Sequence, residues 1–172
     1  MNTKNKTEMV KLPIPTPDGQ FVARYSEKGL CGLAFPNGNL TPTRHRNSTQ
    51  APDRIRSWHE TTRKALTSAL AGRVPKSLPP IDLSGGTDFQ RRVWQTLRKI
   101  ASGRTWSYSR VAQAIGKPKA VRAVGGACGA NPIPVFIPCH RVLAANRRLG
   151  GFSGGLNWKR RLLGREGIAL AE

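Results

Sequence analysis

Ser107-Tyr-Ser-Arg-Val-Ala-Gln-Ala-Ile-Gly-Lys-Pro-Lys-Ala-Val-Arg-Ala-Val-Gly-Gly-Ala-Cys128 decides how the rest of the chain is read. Ser107 caps a short helix that runs to Ile115. Gly116 stands where such a helix stops. Pro118 suits the first turn of a second helix, expected from about Lys119 to Cys128. That second helix is made of small residues, among them Ala120, Ala123, Gly125, Gly126 and Ala127. Small side chains let a backbone approach a groove or a neighbouring element closely. A short helix, a tight glycine turn and a second helix form the helix-turn-helix pattern.

Upstream, Asp88-Phe-Gln-Arg-Arg-Val-Trp-Gln-Thr-Leu-Arg-Lys-Ile100 puts Phe89, Val93, Leu97 and Ile100 on one helix face, with Thr87 or Asp88 as cap. Residues 81–172 therefore read as a mainly helical C-terminal domain. Residues 1–80 have a different texture. Two short apolar runs, starting at Phe21 and Leu30, flank Glu27-Lys28-Gly29 and predict a hairpin. Residues 36–53 are rich in Pro, Asn, Thr and Arg and predict a loop. Ile55, Trp58, Thr62, Ala65, Leu66 and Ala69 predict a helix, and Pro75, Pro79 and Pro80 a linker-like close. The fold class is α/β: a small N-terminal domain, with a hairpin or three-stranded sheet plus a helix, precedes the helix-turn-helix domain.

The 172 residues include 29 Lys+Arg against 9 Asp+Glu, a formal net charge of +20. Such an excess opposes compaction unless polyanions offset it, and it points to nucleic acid. Most of the cations are Arg, which suits bidentate phosphate contacts. With this charge, DNA contact is the favoured reading of the helix pair over plain packing. No apolar run is long enough for a transmembrane helix, and the N-terminus lacks the apolar region of a secretory signal. The expectation is a cytoplasmic protein, or a nuclear one in a eukaryote, with no membrane partner. Cys31, Cys128 and Cys139 are too few for a disulfide framework and are expected as thiols. His45, His59 and His140 lie far apart, so no metal site is expected.

Chemistry concentrates in Ile133-Pro-Val-Phe-Ile-Pro-Cys-His-Arg-Val142. The apolar run ends at Pro138, in the manner of a strand end, and delivers Cys139 beside His140. Free thiols are mostly protonated at neutral pH, so a neighbouring base (His140) and a positive charge (Arg141) would raise the thiolate fraction. The bland alternative is a cysteine packed behind a strand beside an incidental histidine. Gly150-Gly-Phe-Ser-Gly-Gly155 supplies backbone N–H groups that can approach a ligand closely.

Pro138-Cys139-His140-Arg141-Val142 resembles the active-site signature of the O6-alkylguanine-DNA alkyltransferases, or methylated-DNA–protein-cysteine methyltransferases. The resemblance runs over about residues 85–168. It takes in Ser107-Tyr108, Lys119-Ala-Val-Arg-Ala-Val-Gly-Gly126, Asn131-Pro132, the Phe-Ser-Gly-Gly loop and Arg165-Glu166-Gly167. It implies Cys139 as nucleophile, His140 as base acting through a water, and Glu166 as the partner that orients the imidazole. It implies Tyr108 as hydrogen-bond donor to the guanine ring nitrogen, Arg122 as the finger filling the vacated base stack, and Asn131 as the hinge before the cysteine segment. Tyr108 has a core residue as its bland alternative, and Arg122 a phosphate contact. Pro134 would wall the pocket, carbonyls near Cys139 and Val142 would read the guanine amine, and the Ser153 amide would face O6. Ala123 and Gly125 would meet DNA on the second helix, which family members insert into the minor groove.

The implied partner is double-stranded DNA containing O6-alkylguanine, bound by a monomer that needs no cofactor and acts once. O4-methylthymine is a further candidate substrate. Phe152 stands where some members carry Tyr, and Cys128 reads as packing. The family's zinc ligands are missing from the N-terminal half, as is the extra domain of the adaptive-response regulators, which argues against phosphotriester sensing. Three other readings compete: a lesion binder without transfer, a helix-turn-helix regulator with a structural Cys139, and a thiol hydrolase built on Cys139, His140 and Glu166. A zinc deaminase is disfavoured because position 142 is Val, so the P-C-x-x-C signature is incomplete.

Overall fold

A computed structural model describes residues 9–38 and 48–170. The expected loop over 36–53 lies partly outside them, as does the N-terminal stretch read for a signal. The chain opens as an antiparallel sheet of β1 (Val10–Thr16), β2 (Gly19–Ser26) and β3 (Gly29–Ala34), in that order. Alternation buries Val10, Leu12 and Ile14 from β1 and Phe21, Ala23 and Tyr25 from β2. β1 carries Pro13 and Pro15, which a central strand would not tolerate; it lies at the sheet edge, where missing N–H donors cost little. The β2–β3 turn needs its glycine. At φ 151°, Gly29 packs so tightly on the Pro80 carbonyl that a Cβ would fall 2.2 Å from its oxygen.

Helix α1 (Asp53–Leu70) buries Ile55, His59, Thr62, Ala65, Leu66 and Leu70. The apolar spacing named Trp58 and Ala69 instead of His59 and Leu70; both are only partly buried, at the margin of that face. His59 takes the central place because its Nδ1 lies 3.0 Å from the Tyr25 hydroxyl, which satisfies a buried polar group. The proline-rich stretch after α1 then runs onto β3. Leu30 N–H donates to Pro80 O and Asp82 N–H to Leu30 O, each at 2.8 Å.

Helix α2 (Asp88–Leu97) begins with a capping box between Thr87 and Gln90. Its Trp94 indole donates to the Ala127 carbonyl at 2.8 Å, locking α2 to the helix that carries Ala127. β4 (Trp106–Ser107) pairs in parallel with β5 (Val142–Leu143). That pairing sets the start of α3 (Tyr108–Ala114), capped by Ser107, beside the Cys-His-Arg segment. Helix α4 starts at Val121, later than the sequence suggests, and runs to Gly129. Residues 117–120 form a turn closed by Ala120 N–H to Lys117 O, with Pro118 at the position its fixed φ favours.

The run Ile133–Ile137 is not a strand. Pro132, Pro134 and Pro138 remove ladder donors, and the segment folds into turns held by Ile137 N–H to Ile133 O. Helix α5 (Leu156–Arg165) follows the glycine loop and buries Trp158, Lys159, Leu162 and Leu163. One hydrophobic core joins the sheet to this helix: Phe21 and Phe35 meet Trp158 at ring separations of 5.4 and 5.0 Å.

Candidate active site

Asn131 builds the platform for the thiol. Its Oδ1 accepts from Ile133 N–H at 3.0 Å, and its Nδ2 donates to Ile137 O at 2.8 Å and to Cys139 Sγ at 3.1 Å. A buried amide thus does what a neighbouring strand would otherwise do, and it aims one donor at the sulfur. Cys139 opens a short 3-10 turn, Cys139–Arg141, held by Cys139 N–H to Ile137 O at 2.7 Å and Arg141 N–H to Pro138 O at 3.0 Å. Burial pushes the thiol pKa above its ordinary value, making it less acidic; the Asn131 amide, the Lys159 charge and backbone N–H groups pull the other way without cancelling it.

Beside it, His140 is 1% exposed, and its Nε2 lies 2.9 Å from Glu166 Oε1. Arg141 grips the same carboxylate, Nη2 to Oε1 at 2.8 Å and Nε to Oε2 at 3.0 Å. Burial alone would raise the Glu166 pKa; the hydrogen bonds and charges of His140 and Arg141 overturn that and hold it at about 2. An ionised carboxylate only accepts, so Nε2 carries the proton of neutral His140 and Nδ1 is the bare acceptor. Nδ1 is buried with no hydrogen-bond partner among the described residues. Burial also depresses the imidazole pKa, against the pull of Glu166, which keeps the ring in its basic, neutral form.

Arg141 is therefore not the cation that serves the thiol, as its adjacency had suggested; Glu166 and the Ile100 carbonyl occupy it. Lys159 is that cation. It is fully buried on α5, donating to Val142 O at 2.7 Å and Gly151 O at 3.3 Å. Burial lowers its pKa to about 8 despite the opposing influence of Cys139 and Cys128.

Cys139 opens into a cavity of about 560 Å³. Tyr108, Arg122, Gly125 and Ser153 line it with Cys139, as do Val121, Cys128, Gly129, Gly151 and Phe152. Tyr108 leans on the glycine loop: at Gly150, φ 63°, a Cβ would sit 3.0 Å from the Tyr108 hydroxyl. Burial raises the Tyr108 pKa to about 12, so at neutral pH the phenol is a donor rather than an anion. Pro134 lies off this cavity, in a smaller one of about 230 Å³ shared with Asn131 and Ser153. Ala123 faces outward on α4. Val142 is buried, and its carbonyl already accepts from Lys159, leaving one lone pair. Among the described residues no three His, Cys, Asp or Glu side chains are grouped to hold a metal. Among the described residues no helix is long and apolar enough to cross a membrane.

A family model described as the DNA binding domain of 6-O-methylguanine DNA methyltransferase matches residues 88–168. A methylated-DNA–protein-cysteine methyltransferase of Mycolicibacterium paratuberculosis is 42% identical over 144 residues, covering 80% of this chain and 86% of that protein. The Escherichia coli bifunctional transcriptional activator/DNA repair enzyme Ada is 38% identical over 153 residues, 86% of this chain but 42% of its own length, so the chain spans less than half of that relative. The crystal structure of Mycobacterium tuberculosis OGT in complex with DNA superimposes with a TM-score of 0.74 at 37% identity, covering 91% of this chain and 92% of that one. A match of this identity, covering four fifths of the chain and most of the relative, makes the chain a member of the methylated-DNA–protein-cysteine methyltransferase family.

Proposed function

We propose that this protein repairs O6-alkylguanine in double-stranded DNA by moving the alkyl group irreversibly onto Cys139, once per molecule. The observation that carries the reading is a buried thiol at the end of a cavity lined by Tyr108, Arg122 and Ser153, backed by a neutral imidazole on an ionised Glu166. Helices α3 and α4, joined by the turn over 115–120, act as the helix-turn-helix. α4 enters the groove, and Arg122 holds the space left by the flipped base. Its exposed Ala123 and partly exposed Gly125 leave that face low enough for close approach.

In the reaction His140 Nδ1 takes the Cys139 proton through a water, and Glu166 stabilises the imidazolium that results. The thiolate attacks the alkyl carbon in line. A carbon–sulfur bond forms, the carbon–O6 bond breaks, and its electron pair passes to guanine. Tyr108 donates to the ring nitrogen as that charge develops. The products are guanine in DNA and S-alkylcysteine, so no further co-reactant is needed. Carbonyls of Cys139 and Val142 and the Ser153 amide select guanine. The basic surface supplies affinity that is indifferent to sequence and sensitive to salt. The protein acts as a monomer in the compartment that holds the DNA, the cytoplasm or, in a eukaryote, the nucleus.

Mass spectrometry of the protein after mixing with a duplex carrying one O6-methylguanine tests this reading. One methyl group on the Cys139 peptide, formed stoichiometrically and without turnover, is the expected result. Tight lesion binding with an unmodified thiol would leave a damage sensor. Indifference to the lesion would leave a regulator.

A further inference from the structure

Between the sheet and the reactive cavity lies an aromatic contact that none of the catalytic roles uses. Phe35, just past β3, is 7% exposed. Its ring meets Phe152 at 5.6 Å and 67° and Trp158 at 5.0 Å. Gly154 is pressed against the same ring: a Cβ there would fall 2.5 and 2.6 Å from Phe35 Cε2 and Cδ2. Gly154 has no backbone angle that demands glycine, so the Phe35 ring is the main group that excludes a side chain, with Phe152 Cε1 next at 3.0 Å. The adjoining strand β3 also holds the segment that bears Asn131, through Leu33 N–H to Pro132 O at 2.9 Å.

We propose that Phe35 is a positioning residue for the alkyl transfer, a buttress from the N-terminal sheet that fixes the 151–154 wall against Cys139. The inference rests on the function proposed above. It acts through two neighbours of the ring. Ser153 sits between Phe152 and Gly154, both in contact with Phe35, and lines the cavity. Gly151, next to Phe152, gives its carbonyl to Lys159. A wall free to shift by an ångström would misplace both the guanine contact and the cation beside the thiol, and misplacement of that order costs up to about a hundredfold in rate. The DNA-facing side chain Arg122 belongs to α4, which Phe35 does not touch in any of these contacts, so groove affinity should not follow.

The test measures the first-order methyl transfer constant at saturating lesion duplex, and separately the affinity for an unmodified duplex. The proteins are wild type, Phe35→Ala, Phe35→Leu, Gly154→Ala, and the double variant with Phe35→Leu and Gly154→Ala. Phe35→Ala and Gly154→Ala should each slow transfer about tenfold or more while duplex affinity stays within about twofold. Phe35→Leu should keep most of the rate, and combined with Gly154→Ala it should restore what Gly154→Ala loses, since the new methyl group then has room. Gly154→Ala keeps the test open if Phe35→Ala does not fold. Undiminished transfer in Gly154→Ala, or transfer and duplex affinity falling together, overturns the proposal. Failure of the wild type to transfer would instead remove the functional reading beneath it.

Discussion

Replacing Lys159 with Met separates the two roles a buried cation can have. Holding an ammonium where its pKa falls from 10.5 to about 8 costs about 3 kcal/mol. Against that, its hydrogen bonds to the Val142 and Gly151 carbonyls contribute about 1.5–3 kcal/mol each. Methionine removes both sides of the balance and fills nearly the same volume, so Lys159→Met should change unfolding free energy at pH 7 by less than about 2 kcal/mol. The pH dependence should also change. A folded-state pKa below the unfolded one means the wild type gains stability as pH rises from about 8 to 10.5, and the variant should lack that rise. Transfer should respond differently. The charge of Lys159 is one of the influences that lower the Cys139 pKa. Without it less thiolate forms, although the more basic thiolate is a better nucleophile and returns about half the loss on a logarithmic scale. A rate lower by about tenfold at pH 7 is the expected net. Urea titrations at pH 7 and 9, with single-turnover transfer followed by mass, measure both. A variant several kcal/mol less stable that still transfers at the wild-type rate would make Lys159 a strut and refute the electrostatic argument.

Glu166→Gln leaves the Arg141 guanidinium, 16% exposed, without its anion; the expected cost is about 3–5 kcal/mol, read from urea midpoints, together with loss of methyl transfer. Acid should act in two stages visible in stability against pH. His140 has a folded pKa below its usual 6.5, so the stability it contributes is complete above that value and declines as pH falls through it. Glu166, held at about 2, adds a second loss as pH drops below 4.5. Asn131→Ala removes three hydrogen bonds around a residue 6% exposed and should cost about 2–4 kcal/mol by chemical denaturation. Tyr108→Phe should leave duplex affinity within about twofold while slowing transfer about tenfold, since the hydroxyl matters only as charge develops; unchanged transfer would return Tyr108 to a packing role.

The legible parts of the sequence were those encoded by neighbours. Glu27-Lys28-Gly29 announces the turn into β3, and Thr87 and Ser107 announce α2 and α3, because capping and turn chemistry are local. β1 was harder to read because its prolines mimic a loop until the strand is known to lie at an edge. The run Ile133–Ile137 misled in the opposite sense. Its composition is that of a buried strand, and only the Asn131 side chain, reaching Ile137 and Cys139, shows how buried backbone there is satisfied. Lys159 was hidden by abundance, since one lysine among 29 basic residues reads as surface charge. The signal was present all the same. Lys159 precedes Leu162 by three and Leu163 by four, which puts it on the apolar face of α5.

The resting site presents a problem that the proposed reaction must solve. Its nucleophile is less acidic than a free thiol, its base is a weakened imidazole, and its donor phenol has a pKa of about 12. Each shift has the same origin, burial, and each makes the charged form of that group expensive. Transfer moves a proton from Cys139 to His140 and leaves negative charge on guanine, so every step creates charge inside this cavity. The site therefore favours reaction only where fixed countercharges already face the groups that change: Glu166 for the imidazolium, Lys159 and Asn131 for the thiolate, and the Tyr108 hydroxyl for the departing base. Those countercharges are carried by α3, α5 and the Asn131 hinge, and the sheet braces two of these three, through Trp158 on α5 and through Pro132 beside the hinge. A thiol kept unreactive by burial and made reactive only by a base seated against it would meet few stray electrophiles, which would suit the single turnover proposed above.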